Sequence, residues 1–140
     1  MPNHCYQSTE VRGPRAMVHY LYTQLTEHNR FCDAVVPLPV ERAVKRYDWC
    51  WDNWGTKWDV VDAEVTNDLQ DHGVESDGDA WFSFRCWTAW GPPIPVWEKL
   101  VALGLEVHAE YQDEGLGFAG EFSDGENVSW EPEFKEEVVQ

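Results

Sequence analysis

From Asp79 to Thr88 the chain alternates without interruption: Ala80, Phe82, Phe84 and Cys86 fall on one side, and Trp81, Ser83, Arg85 and Trp87 on the other. Only a β-strand, with its two-residue side-chain period, separates these sets onto opposite faces. One set is wholly apolar and the other mixes rings with polar groups, so the sheet has one covered face and one open face. Trp58 to Thr66 repeats the pattern, with Val61, Ala63 and Val65 on one side and Trp58, Val60, Asp62 and Glu64 on the other. The two strands suit an antiparallel pair joined by the polar, turn-rich Asn67 to Gly78.

Other elements can be placed around this pair. Gln7 to Arg12 reads as a first strand that ends at Gly13-Pro14. From Pro14 to His28, Met17, Leu21 and Leu25 recur every four residues beside Val18, which predicts an amphipathic helix opened by a proline. Phe31 to Val36 reads as an extended segment leading through Pro37-Leu38-Pro39 into a crossover, and Glu41 to Trp54 as a short helix followed by an aromatic loop. After Pro92-Pro93, Ile94 to Leu103 predicts a second helix, with Pro95 in its first turn. Its apolar side is Val96, Leu100 and Leu103, joined by Trp97 and Val101, and Gly104 ends it. Leu105, Val107, Ala109 and Tyr111 then alternate with Glu106, His108 and Glu110 as a further strand.

The order strand, helix, strand, strand, helix, strand predicts an α+β, ferredoxin-like antiparallel sheet with two helices on one face. Gly117 to Phe122 and Asn127 to Glu131, around Asp124-Gly125, add a C-terminal hairpin. The expectation is one domain over residues 1–140, fraying over 133–140.

The open face then presents Trp58, Asp62, Glu64, Trp81, Arg85, Trp87, Glu106, His108 and Glu110. Charge constrains what it can bind. The 140 residues carry 26 acidic and 10 basic side chains, a net charge of −16, and sixteen of the acidic groups lie between Asp71 and Glu137. Such a field repels phosphate backbones and steers cationic surfaces, so direct nucleic-acid binding is disfavoured. The favoured expectation is an acidic, non-enzymatic module that binds a basic or aromatic-rich protein surface, with tryptophans as anchors. Mimicry of DNA against a host defence is one form of this. Burial of the same rings beneath the hairpin or the Trp49 to Trp54 segment is the bland alternative.

A metal or small-ligand site is the competing expectation: His108 between Glu106 and Glu110, with Asp62 or Glu64 from a neighbouring strand, supplies adequate ligands. A homodimer seam on this face is a third. Asp48, Asp52, Asp59 and Asp62 are an imaginable acid–base cluster, but no nucleophile elbow, phosphate loop or His-Glu-x-x-His segment accompanies them, and no cofactor is implied. Two loops stand out. In Trp54-Gly55-Thr56-Lys57-Trp58-Asp59, Gly55 permits close approach, Thr56 caps a turn and Lys57 pairs with Asp52 or Asp59. Gly115 to Gly120, with Gly117, Phe118 and Gly120, is glycine-rich but precedes a strand, which removes the usual way of holding phosphate. The widely spaced Cys5, Cys32, Cys50 and Cys86 read as buried thiols. No apolar run is long enough for a bilayer, and a cytoplasmic location is expected.

Several segments carry a resemblance in order along the chain. They are Met1-Pro2-Asn3-His4-Cys5, Tyr47-Asp48-Trp49-Cys50, Trp54-Gly55-Thr56-Lys57-Trp58-Asp59, Thr88-Ala89-Trp90-Gly91-Pro92-Pro93, Tyr111 and Gly117-Phe118-Ala119-Gly120. With these the chain resembles the family of small phage, prophage and plasmid proteins with the YubB ferredoxin-like domain. His4 stands where that family commonly has tryptophan, and Gly91-Pro92-Pro93 where it has Ser-Pro-Pro. The resemblance implies a ferredoxin-like domain from a mobile genetic element and supplies no catalytic residues.

Overall fold

A computed structural model describes residues 4–39, 46–71, 79–115 and 117–131. The elements are β1 (His4–Pro14), α1 (Arg15–His28), α2 (Cys32–Val35), α3 (Arg46–Trp54), β2 (Val61–Asp71), β3 (Asp79–Ala89), α4 (Ile94–Ala102), β4 (Glu106–Asp113), β5 (Ala119–Ser123) and β6 (Glu126–Trp130). One antiparallel sheet runs in the order β2-β3-β1-β4-β5-β6. Its first four strands have the ferredoxin-like arrangement, and β5 and β6 extend one edge as the expected hairpin. Asp124 at φ 51° and Gly125 at φ 95° form its tip, where positive φ at both positions matches the twist of the flanking strands.

The covered face follows the alternation. Cys5 and Val11 of β1, Ala80, Phe82, Phe84 and Cys86 of β3, and Val107 and Ala109 of β4 are all sealed beneath the helices. Val18, Leu21 and Leu25 of α1 and Val96, Trp97 and Leu100 of α4 close the layer from above. Trp97 packs 5.4 Å from Phe122 and 6.1 Å from Tyr111, while Phe82 and Phe84 stack at 5.7 Å. Pro95 sits in the first turn of α4 as expected, but Leu103 lies past the helix end and is exposed, while Leu105 turns into the core.

The crossover between α1 and β2 differs from expectation. Cys32–Val35 is helical rather than extended, because Asp59, 26 to 28 residues later, caps it. Its carboxylate accepts the backbone N–H groups of Phe31 (3.1 Å), Cys32 (2.8 Å) and Asp33 (3.0 Å), satisfying donors that a helix start otherwise leaves open. Strand β2 also runs on to Asp71 where a turn was expected after Thr66. The rest of that expected turn, residues 72–78, and the expected fraying at 133–140 lie outside the described residues.

At the start of β2 the expected faces are exchanged. Val61 stands opposite Trp87 on the open side, Val60 is buried, and the partly exposed Val65 pairs with the buried Phe84. Asp62 at φ 53° lies within the register shift between Val61 and Glu64. A bulge of this kind places two residues against one, so a strict two-residue count across it assigns the wrong face. Among the described residues no helix is long and apolar enough to cross a membrane.

Candidate functional site

The hairpin prolongs the sheet and α3 packs beside α4, so neither covers the second face. Strand β1 runs through its centre. Tyr6 lies opposite Trp87, Ser8 opposite Arg85 and Glu110, Glu10 opposite Ser83 and His108, and Arg12 opposite Trp81 and Glu106. The β1 residues were absent from the sequence-derived face, although the ferredoxin-like order places β1 between β3 and β4. Together these strands form a shallow polar depression of about 470 Å³ lined by Tyr6, Ser8, Glu10, Asn67, Ser83, Arg85, His108 and Glu110.

Glu64, Trp81, Arg85, Trp87, Glu106, His108 and Glu110 take their expected places on this face, and Asp62 is exposed at the bulge. The two tryptophans are half-buried rather than free. The Arg12 guanidinium lies 5.1 Å from the Trp81 ring centroid, and Tyr6 packs edge-on against Trp87 at 5.1 Å, with His4 at 6.0 Å. Arg85 forms an ion pair with Glu64 across β2 and β3. The Glu64 charge, and then the Tyr6 hydroxyl, hold the Arg85 proton more tightly than usual.

Beside the depression, His108, Glu110 and Glu121 bring one ligand atom each within 4.8 Å of one another. The register explains the meeting: Glu110 stands directly across from Glu121, and His108 across from Ser123. His108 Nδ1 lies 3.2 Å from Ser123 Oγ, and its Nε2 lies 3.7 Å from Glu121 Oε2. In the tautomer that donates its Nδ1–H to Ser123 Oγ, His108 presents the Nε2 lone pair toward Glu121. Of the expected metal set, His108 and Glu110 belong to this trio and Glu106 does not, since it stands against Arg12. Asp62 and Glu64 are also excluded. They lie on β2, and β3 and β1 intervene before β4, about 14 Å across the sheet. Glu121 was missed because only the strand pairing brings it to the site.

Trp58 corrects the sequence reading most sharply. It precedes β2, off the sheet face, in a corner built from three separate segments. There the Lys57 ammonium lies 4.9 Å from the Tyr47 ring centroid, 5.3 Å from Trp58 and 4.8 Å from Trp90. Tyr47 meets Trp58 edge-on at 6.3 Å, and Trp51 meets Trp90 at 5.5 Å. Tyr47, Trp51 and Trp90 are 52%, 45% and 41% exposed, so the corner is a surface feature rather than part of the core. The expected Lys57 pairing with Asp59 or Asp52 is replaced by these rings. Asp59 is committed to α2, and among the described residues Lys57 is in no ion pair with Asp52.

The backbone beneath this corner is tightly fixed. The sealed Thr56 hydroxyl donates to the Ala89 carbonyl and accepts the Ala89 N–H, each at 2.9 Å, and the Lys57 N–H reaches the same carbonyl at 3.2 Å. Gly55 sits at φ 78°, and a side chain there would meet Pro95 Cδ at 2.8 Å. Trp54 is buried and donates its indole N–H to Val36 O at 2.7 Å. Trp90 adopts φ 75°, a left-handed conformation that costs a bulky residue about 1–3 kcal/mol.

The second glycine loop is structural. Gly117 N–H donates to Asp113 Oδ2 at 3.0 Å, Phe118 packs 6.2 Å from Tyr111, and Gly120 lies so close under Tyr111 that a side chain there would overlap its ring. Tyr111 donates its hydroxyl to Asn127 Oδ1 at 2.6 Å. The four cysteines are buried free thiols. Burial, and then the Asp113 charge, push the Cys5 thiol up to about 12. Burial followed by the Asp59 charge raises Cys32 and Cys86 well above the ordinary range.

No family model matches this chain, and comparisons with curated proteins and with solved structures give no match either.

Proposed function

We propose that the open sheet face is a small-ligand site organised around a divalent first-row cation held by His108, Glu110 and Glu121. The juxtaposition of Glu110 and Glu121 beside His108 carries this reading. Two carboxylates directly opposite each other on neighbouring strands repel, and a cation between them turns that repulsion into coordination. One imidazole and two carboxylates suit zinc, manganese or cobalt and leave positions for water or ligand. Donors around one such ion in tetrahedral geometry are about 3.4 Å apart at bonds of about 2.1 Å. The trio, now within 4.8 Å, therefore closes by up to about 1.4 Å, a rotamer adjustment available to surface side chains. His108 and Glu110 also line the 470 Å³ depression, so a polar ligand resting there can reach the ion.

The aromatic docking reading of this face has less support, because Trp81 and Trp87 are engaged by Arg12 and Tyr6. Membership of the YubB-like family, and with it a mobile-element origin, is proposed on the sequence motifs alone. The cation reading is tested by thermal unfolding of metal-stripped protein with Zn²⁺ or Mn²⁺, alongside elemental analysis of the purified protein. Stabilisation by one equivalent of ion, lost in His108→Ala and in Glu121→Gln, is expected. No shift with either ion, or an equal shift in both variants, overturns it.

A further inference from the structure

We infer that the corner formed by Tyr47, Trp58 and Trp90 is a receptor for alkylated ammonium groups, held shut by the chain's own Lys57. It shares no residue with the cation trio and stands independently of that reading.

Three ring centroids lie 4.8–5.3 Å from one ammonium nitrogen, within the distance at which the negative face of an aromatic ring attracts a cation. The walls come from three segments that stand out in the sequence: Tyr47 from α3, Lys57 and Trp58 from the loop before β2, and Trp90 from the residue that follows β3. Two features show that the box is more than packing. Tyr47 and Trp90 are substantially exposed, and Trp90 is held in a strained backbone conformation that sets its ring beside Lys57. Strain of this kind concentrates where a site is preorganised.

The occupant is also unusual. In a chain with 26 acidic residues, the Lys57 ammonium rests on rings, and none of the ion pairs among the described residues includes it. A tethered lysine competes at a high effective concentration, so another primary ammonium gains little by replacing it. A quaternary or multiply methylated ammonium is less strongly hydrated and spreads its charge over methyl groups that touch all three rings. That is the chemistry aromatic cages recognise, and it is the guest able to displace Lys57. The net charge of −16 adds attraction for any cation approaching the corner.

Indole N–H resonances of Trp58 and Trp90, followed by NMR during titration with choline, test the assignment. In Lys57→Ala, saturable shifts at an affinity about tenfold or more above that of the unaltered chain are expected, because the competitor is gone. The neutral isostere 3,3-dimethyl-1-butanol should bind about tenfold more weakly, since it lacks the charge that the rings attract. Adding Trp90→Ala should abolish the response. A trimethyllysine peptide and its unmethylated form, titrated separately, distinguish a protein guest from a small molecule. In the unaltered chain the Lys57 Hε protons should be shifted upfield by the rings and should return toward ordinary values as choline enters. This readout does not depend on the folding of any variant. Unshifted Lys57 protons, equal binding with and without Lys57, or equal binding of the neutral isostere overturns the inference.

Discussion

Asp59 shows how one side chain can decide a local fold. Its carboxylate holds three successive backbone N–H groups at the start of α2 and also accepts the N–H of Val60 at 2.7 Å. Asp59→Ala leaves these donors unsatisfied and should cost about 2–3 kcal/mol in urea unfolding, whereas Asp59→Asn, which keeps an acceptor oxygen, should cost less. No sequence pattern announces this bond. Phe31 to Val36 reads as extended because its own composition is apolar and β-branched, and the group that makes it helical arrives from beyond a crossover. Lys57 was misplaced for the complementary reason. Charge pairing is the default expectation for a lysine beside aspartates, but Asp59 is already engaged by backbone donors and the Lys57 ammonium rests on three rings.

Where elements follow a regular period, the sequence discloses them well. The strands from Asp79 and Leu105, both long helices and the terminal hairpin follow from alternation, four-residue spacing and turn residues. Those same periods separate the sealed phenylalanines from the open-face charges. The reading fails at the β2 bulge, where one extra residue exchanges the faces of Val60 and Val61. It also fails for the proposed cation site, because Glu121 joins His108 and Glu110 only through the pairing of β4 with β5. That pairing depends on Gly120, whose missing side chain makes room for Tyr111. Gly120→Ala should therefore destabilise the protein by about 2 kcal/mol through overpacking. The proposed site should weaken with it, which metal titration of the folded fraction measures.

At the scale of the whole molecule, the buried thiols set a limit on alkaline stability. A free thiol in the unfolded chain ionises near 9.0, but Cys5 in the folded state does so only near 12. Its folded value is raised, so its contribution is fully present below pH 9 and is lost as pH climbs towards 12. Each thiol that ionises only on unfolding lowers stability by about 1.4 kcal/mol per pH unit in that window. Urea midpoints under reducing conditions should fall between pH 9 and 11, and Cys5→Ala should flatten the decline. The resistance of all four cysteines to Ellman's reagent until unfolding is the matching chemical test.

The central position of β1 sets an order on synthesis as well as on structure. Residues of β1 register with Ala89 on one flank and Asp113 on the other, so β1 leaves the ribosome before either of its neighbours has been made. Closing such distant segments is entropically slow. The nascent chain must keep the apolar residues of β1 out of trouble until β3 and β4 have emerged, and that delay makes β1 a point at which folding is easily diverted to aggregation.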